Sequence, residues 1–205
     1  MPRRITFFLL LFLLFVSLSG ISRTSGAEEE ASDTARRVTL RSKGKAVSPG
    51  DVGSILRTHG FFAACWNYNA DFCNPAGDFE NAFVDNRDGT VTDRSTGLMW
   101  QKGGFPEGMT WLEAKAFVEQ VNREGWAGHA DWRLPTIEEI ASLLETCWTA
   151  CELFIAPVFE GFPKNCWSVD TQGMYAAWKA NFKLGIIMDV PQTAKNGVRL
   201  VRSLP

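Results

Sequence analysis

Five cysteines, two histidines and one acidic turn are the residues of this 205-residue chain best equipped to do chemistry. Cys65 and Cys73 lie close enough to staple a loop. Cys147 and Cys151 flank Trp148, and either can close on the other or on Cys166. In an oxidising compartment such residues form disulfides, and an odd count leaves one thiol free or bridged to a second chain. A zinc site is the sharper alternative, but no cysteine pair has the two-residue spacing of a structural site, and His59 and His129 stand alone. Cys166 is the one candidate nucleophile, with no histidine near it in sequence. Asp85-Asn86-Arg87-Asp88-Gly89 invites a calcium reading. Setting Gly89 at the glycine of an EF-hand loop puts Val84 and Ser95 in the first and twelfth ligand positions, where neither fits, so a hairpin turn is expected and calcium stays a secondary possibility. No Gly-x-Ser-x-Gly, His-Glu-x-x-His or phosphate-loop motif occurs. A non-enzyme without a resident cofactor is the expectation.

The elements that must position these residues are legible in part. Residues 1–27 have a basic start (Arg3, Arg4), an apolar run and small residues at the end, the pattern of a signal peptide. The run is short for a bilayer-spanning helix, and an uncleaved anchor is the alternative. Export to the periplasm or cell surface is therefore expected. Removing those residues, which hold three Arg and no acid, takes the formal charge from −2 to −5. That offers no general pull toward nucleic acid or anionic membrane. Residues 28–47 are polar and read as a disordered linker. Residues 48–205 form the expected domain, rich in Trp (eight) and Phe (fifteen), as suits a loop-rich fold whose gaps are sealed by large side chains.

Within that domain Ser48, Pro49 and Asp51 open a short helix that Gly60 ends. Thr90-Val91-Thr92 and Leu98-Met99-Trp100 make a hairpin. Thr110 with Glu113, and Thr136 with Glu139, are capping boxes that open two helices, the second carrying Ile137, Ile140, Ala141 and Leu144 on its buried face. Between them Asp131 and Arg133 are placed to bridge the turn, Trp132 to plug the space beneath, and Pro135 to hold Leu134 extended. The C-terminal third reads as antiparallel strands: Trp167-Ser168-Val169, residues 176–182 and 186–190, and a final strand over 198–202.

Several runs taken together resemble a known family. Thr96-Gly97-Leu98-Met99-Trp100-Gln101, Met109-Thr110 with Glu113-Ala114, residues 127–136 (AGHADWRLPT) and Val198-Arg199-Leu200-Val201-Arg202 are similar to the exported bacterial family named for the C-terminal domain of the Legionella collagen-like adhesin. The resemblance implies an α+β, C-type-lectin-like fold: two main helices packed on a small twisted antiparallel sheet with long loops. It makes Trp100, Asp131, Trp132, Arg133 and Pro135 scaffold residues. In the adhesin this domain is linked to sulfated glycans and to trimers. Here there is no collagen repeat, and Cys147, Cys151 and Cys166 depart from the family pattern.

A non-catalytic module that recognises a glycan or another extracytoplasmic surface is thus expected. Its ligand surface is placed on the late loops and the exposed face of the 176–182 strand: Asp170, Gln172, Tyr175, Lys179, Asn181, Lys183, Lys195 and Asn196. Two other readings compete. One is a structural envelope component that binds a protein partner, which the odd cysteine favours through an intermolecular bridge. The other is an enzyme on the related fold of formylglycine-generating oxidases, which would need Cys166 to meet His59 or His129 in space. Oligomeric state is open at this level.

Overall fold

The computed structural model describes residues 37–146, 153–160 and 163–205. The expected signal peptide (residues 1–27), residues 28–36 and the pair Cys147 and Cys151 lie outside them. Helix α1 (Pro49–His59) begins as its sequence dictates. Ser48 Oγ accepts from Asp51 N, Asp51 Oδ2 accepts from Ser48 N, and Gly60 closes the helix at a φ of 68° that a side chain would resist. Three short strands follow, β1 (Phe83–Asp85), β2 (Thr90–Asp93) and β3 (Leu98–Gln101), then β4 (Phe105–Met109). Helix α2 (Trp111–Glu124) carries the Thr110–Glu113 capping box. Helix α3 (Ile137–Ala141) carries the Thr136–Glu139 box but stops after five residues. Leu143 and Leu144 are still buried, in turns rather than helix. Strands β5 (Asn165–Gln172), β6 (Ala176–Asn181), β7 (Ile186–Pro191), β8 (Asn196–Val198) and β9 (Val201–Ser203) complete the chain.

The architecture is α+β with two sheets. Sheet I runs β1-β2-β3-β9, and sheet II runs β4-β8-β5-β6-β7. Nine strands in two sheets differ from the small antiparallel sheet with two main helices expected above, and β5 and β8 pair in parallel. The expected final strand over 198–202 is in fact two strands in different sheets. At the corner Arg199 is buried, its Nη1 donating to the carbonyls of Gln101 and Lys102, while Leu200 N donates to Gln101 Oε1. An unbroken apolar-polar run gives no sign of such a corner, because the bend is fixed by residues a hundred positions earlier.

Sheet II lies between two apolar cores. On one face Cys166, Trp178, Ala180 and Ile187 join α1, α3 and sheet I residues Val91, Leu98, Trp100 and Val201. On the other, Trp167, Ala177 and Val198 pack with Leu200, Trp132, Leu134 and the α2 residues Ala114 and Val121.

Residues 37–47, read above as part of a disordered linker, are built into the fold. Leu40 and Val47 are buried, Val38 N donates to Ser95 O, and Trp178 Nε1 donates to Val47 O at 3.0 Å. The composition argument weighs the apolar surface a segment can bury by itself. It misses a segment whose few apolar residues are covered by a surface already formed.

The Cys65–Cys73 disulfide is present. Closing so short a loop restricts the unfolded chain by about 2.5 kcal/mol. Cys166, a disulfide candidate in the sequence, is instead a free thiol sealed in the core, and burial pushes its pKa up to about 12. A protonated, water-excluded thiol is a poor nucleophile. Iodoacetamide is therefore expected to leave Cys166 intact in the folded chain and to alkylate it once the chain is unfolded, as read by mass spectrometry of its peptide. Among the described residues, no helix is long and apolar enough to cross a membrane.

Candidate functional site: an amide and lysine cluster on sheet II

Pairing across sheet II sets Trp167 opposite Lys179 and Lys179 opposite Met188, while Asn165 faces Asn181. Directly paired residues share a face, so these side chains project on the face that α2 covers. Coverage is anchored near Trp167, where Trp111 Nε1 donates to Ser168 O and Trp167 Nε1 to Met109 O. Lys179 and Asn165 are left half-buried.

There Lys179 Nζ donates to Asn165 Oδ1 at 3.1 Å and to Asn196 Oδ1 at 3.0 Å. An ammonium has three N–H donors, so one remains. Burial lowers its pKa, and no carboxylate lies within ion-pair reach among the described residues. Asn196 is only 5% exposed. Because its oxygen faces the ammonium its amide orientation is settled, and its Nδ2 is left buried without an acceptor. Two unspent donors, one of them charged, thus sit together. An oxyanion is the group they suit.

The eight residues expected to bind a ligand do not form one site. Asp170 is fully buried on β5 rather than in a loop. It accepts from Arg41 Nη1 (2.9 Å) and Nη2 (2.7 Å), from Lys45 N (2.7 Å) and from Ile137 N (2.7 Å). A carboxylate that saturated holds the fold. Asn181 Oδ1 accepts from Lys183 N and Leu184 N, closing the β6–β7 turn. Lys183 is exposed there. Gln172 ends β5, and Tyr175, 80% exposed with its neighbour Met174, stands on the β5–β6 turn. Four residues separate Tyr175 from Lys179, or about 13 Å of strand. Lys195 is exposed, its Cβ beside Gly108, and its charge helps hold the Glu113 carboxyl below its usual range, after the Thr110 bonds that do most. Among the eight, only Lys179 and Asn196 bring their side chains together. Asn165, which completes them, was missed because it enters across β5 and β6 with no periodic signal of its own.

The scaffold residues pair differently from the sequence reading. Asp131 and Arg133 do not bridge each other. Asp131 Oδ1 accepts from Arg202 Nε at 2.7 Å, which holds its carboxyl below the ordinary range, and Arg133 makes a two-pronged pair with the buried Glu139 at 2.6 Å. Trp100 and Trp132 are buried, as is Pro135, whose carbonyl accepts from Val169 N.

The two histidines are also committed, His59 Nε2 to Glu138 at 2.8 Å and His129 against the Trp132 ring. In the acidic turn Asp85 accepts from Arg87 N and Lys102 Nζ, and Asp88 from the Thr90 amide and hydroxyl. Among the described residues, no three His, Cys, Asp or Glu side chains are grouped to hold a metal ion.

A family model for the Lcl C-terminal domain matches residues 89–202. That span is more than half of the chain. The chain belongs to the Lcl C-terminal domain family. The match takes in sheet II, the buried Trp100, Trp132, Trp167 and Trp178 and the Lys179 cluster, whereas α1, the disulfide loop and β1 precede it. No curated protein matches this chain. A disulfide and an Lcl C-terminal domain together make this an extracytoplasmic protein.

Proposed function

We propose that this chain is an exported, non-catalytic binding module, built on a C-type-lectin-like arrangement, that recognises a glycan carrying an anionic group. The observation that carries the reading is the Lys179 ammonium without a carboxylate, beside an Asn196 Nδ2 without an acceptor. Carboxylate or sulfate oxygens supply what both lack, and the neighbouring amide of Asn165 can bond sugar hydroxyls. Membership of the Lcl C-terminal domain family supports a binding role. The chain's net acidity means that attraction comes from this local group, not from bulk charge. The buried Cys166 thiol and the committed histidines weigh against the oxidase alternative.

The test is a glycan array probed with the intact chain and with Lys179→Met, each with calcium and with chelator. The wild type is expected to bind acidic glycans, and Lys179→Met, folded by circular dichroism, to lose about tenfold or more in affinity, since it removes one charged partner of a desolvated contact. Equal binding by the variant, or a blank array, sinks the reading. Loss of binding with chelator would instead return weight to calcium.

One surface favours a protein partner as a second reading. Leu112, Met174 and Tyr175 are exposed around Gln192, which bonds the carbonyls of Met174 and Tyr175 and accepts from Trp111 N. Capture of an envelope protein that Tyr175→Ser abolishes and Lys179→Met does not would support it.

A further inference from the structure

A groove walled in part by residues 78–81, which precede the family match, and in part by Leu144 and Glu145 inside it holds unspent acceptors, the reverse of the Lys179 cluster. Two adjoining cavities of about 660 and 480 Å³ share Asp78, Phe79, Glu80 and Asn81 in their walls. Phe62, Leu144 and Glu145, with Gly77 and Thr146, complete the smaller one. Asn81 Nδ2 donates to Ser142 O at 2.7 Å. That bond settles the orientation of the amide and leaves Asn81 Oδ1 buried with no donor. A buried acceptor is costly to leave unpaired.

Glu145 lies against the same amide. Burial pushes its carboxyl above the ordinary range, opposed by the Asn81 hydrogen bond, and no cation pairs with it among the described residues. Asp78 and Glu80 put two more carboxylates at the exposed rim. The walls between are the aromatic rings of Phe62 and Phe79 with Leu144. Among the described residues, the one cation lining the larger cavity is Arg94, which does not line Glu145's cavity. Since no three of the acids are grouped for a metal, the missing partner is a cation that brings its own N–H donors and some apolar length.

We propose that this groove binds an alkylammonium group, with N–H donors to Asn81 Oδ1 and the Glu145 carboxylate and its methylene chain along Phe62, Phe79 and Leu144. Attraction between the ammonium and the aromatic faces adds to the charge pairing. A free diamine and a lysine side chain share this chemistry. The site is separate from Lys179, so the glycan reading and this one stand or fall independently.

The experiment titrates the full-length chain with cadaverine and with Nα-acetyl-lysine methylamide, using 1-pentanol as the uncharged control, and follows side-chain amide NMR signals and heat. A saturable shift of the Asn81 side-chain amide is expected with the amines and not with pentanol. Tighter binding of cadaverine identifies a free diamine, and tighter binding of the lysine derivative identifies a protein lysine. Glu145→Gln, which keeps shape and relieves a buried charge, is expected to weaken binding about tenfold, and Glu80→Gln at the rim by less than about threefold. Absence of an Asn81 shift up to about 10 mM amine overturns the proposal, as does undiminished binding by a Glu145→Gln variant whose circular dichroism is unchanged.

Discussion

Replacing Asp170 with Ala is expected to lower the stability of the folded chain by about 3–5 kcal/mol, the usual result of removing one partner from a buried ion pair. The side chain is fully buried and accepts four hydrogen bonds from two segments far from it in sequence. Two come from Arg41, whose guanidinium also reaches Glu138 at 3.5 Å, and one from the first amide of α3. Without the carboxylate, the Arg41 charge keeps Glu138 but loses its two-pronged partner, and the Lys45 and Ile137 amides lose their acceptor. Asp170→Asn is expected to cost less, about 1–3 kcal/mol, because one acceptor oxygen survives. Urea unfolding followed by tryptophan fluorescence measures both. The pattern also separates the two roles assigned to this region. Asp170→Ala should move the unfolding midpoint strongly and leave ligand affinity in place in the folded fraction, whereas Lys179→Met should lower ligand affinity with the smaller midpoint shift of one stranded acceptor at Asn196. A destabilisation under about 1 kcal/mol for Asp170→Ala would mean that the hub is not what ties residues 41–45 to α3 and β5.

Trp178→Ala is expected to cost a similar 3–5 kcal/mol, by loss of apolar contact and by the cavity left behind. The indole is fully buried in the larger core on β6. Its ring meets Phe72 edge-on at 5.6 Å, and Phe72 sits in the loop that the Cys65–Cys73 disulfide closes. Its Nε1 donates to Val47 O. One side chain thus fastens the entry segment and the disulfide loop to sheet II. Trp178→Phe keeps the ring contact but strands the Val47 carbonyl, and is expected to cost about 1–3 kcal/mol. Hydrogen exchange localises the effect: the Val47 and Thr171 amides, bonded to Thr171 O and Lys45 O, should exchange faster in Trp178→Phe than the amides of α2. Uniform acceleration throughout the chain would show that Trp178 acts on global stability alone.

Local features were the most readable from sequence. The capping boxes at Thr110 and Thr136 and the N-cap at Ser48, which the structure completes as a third box, form as the residue types dictate, because each is a closed arrangement of four residues that needs no distant partner. The same holds for the Cys65–Cys73 loop and the hairpin around Arg94 and Gly97. The run Asp131-Trp132-Arg133-Leu134-Pro135-Thr136 was enough to indicate the family. Its internal pairing was read wrongly: Asp131 and Arg133 are neighbours in sequence, but each finds its countercharge elsewhere, in Arg202 and Glu139.

Among the binding residues the division falls the same way. Composition marked Lys179 and Asn196 as polar residues near late strands, and by the same logic it marked Asp170, which is structural. A carboxylate reads alike in sequence whether water or Arg41 surrounds it. The difference is made by residues 37–47, too poor in apolar side chains to announce that they pack. The sequence alone therefore determined the caps, the local disulfide, the helix starts and the family. Tertiary structure decided the two-sheet topology with its corner at Arg199, the burial of Asp170 and Cys166, and the meeting of Lys179 with Asn165 and Asn196. Each of those depends on hydrogen bonds or packing between distant residues, the hydrogen bonds spanning 14 to 129 positions, and the one-dimensional pattern carries no direct trace of which distant residue will supply the missing partner.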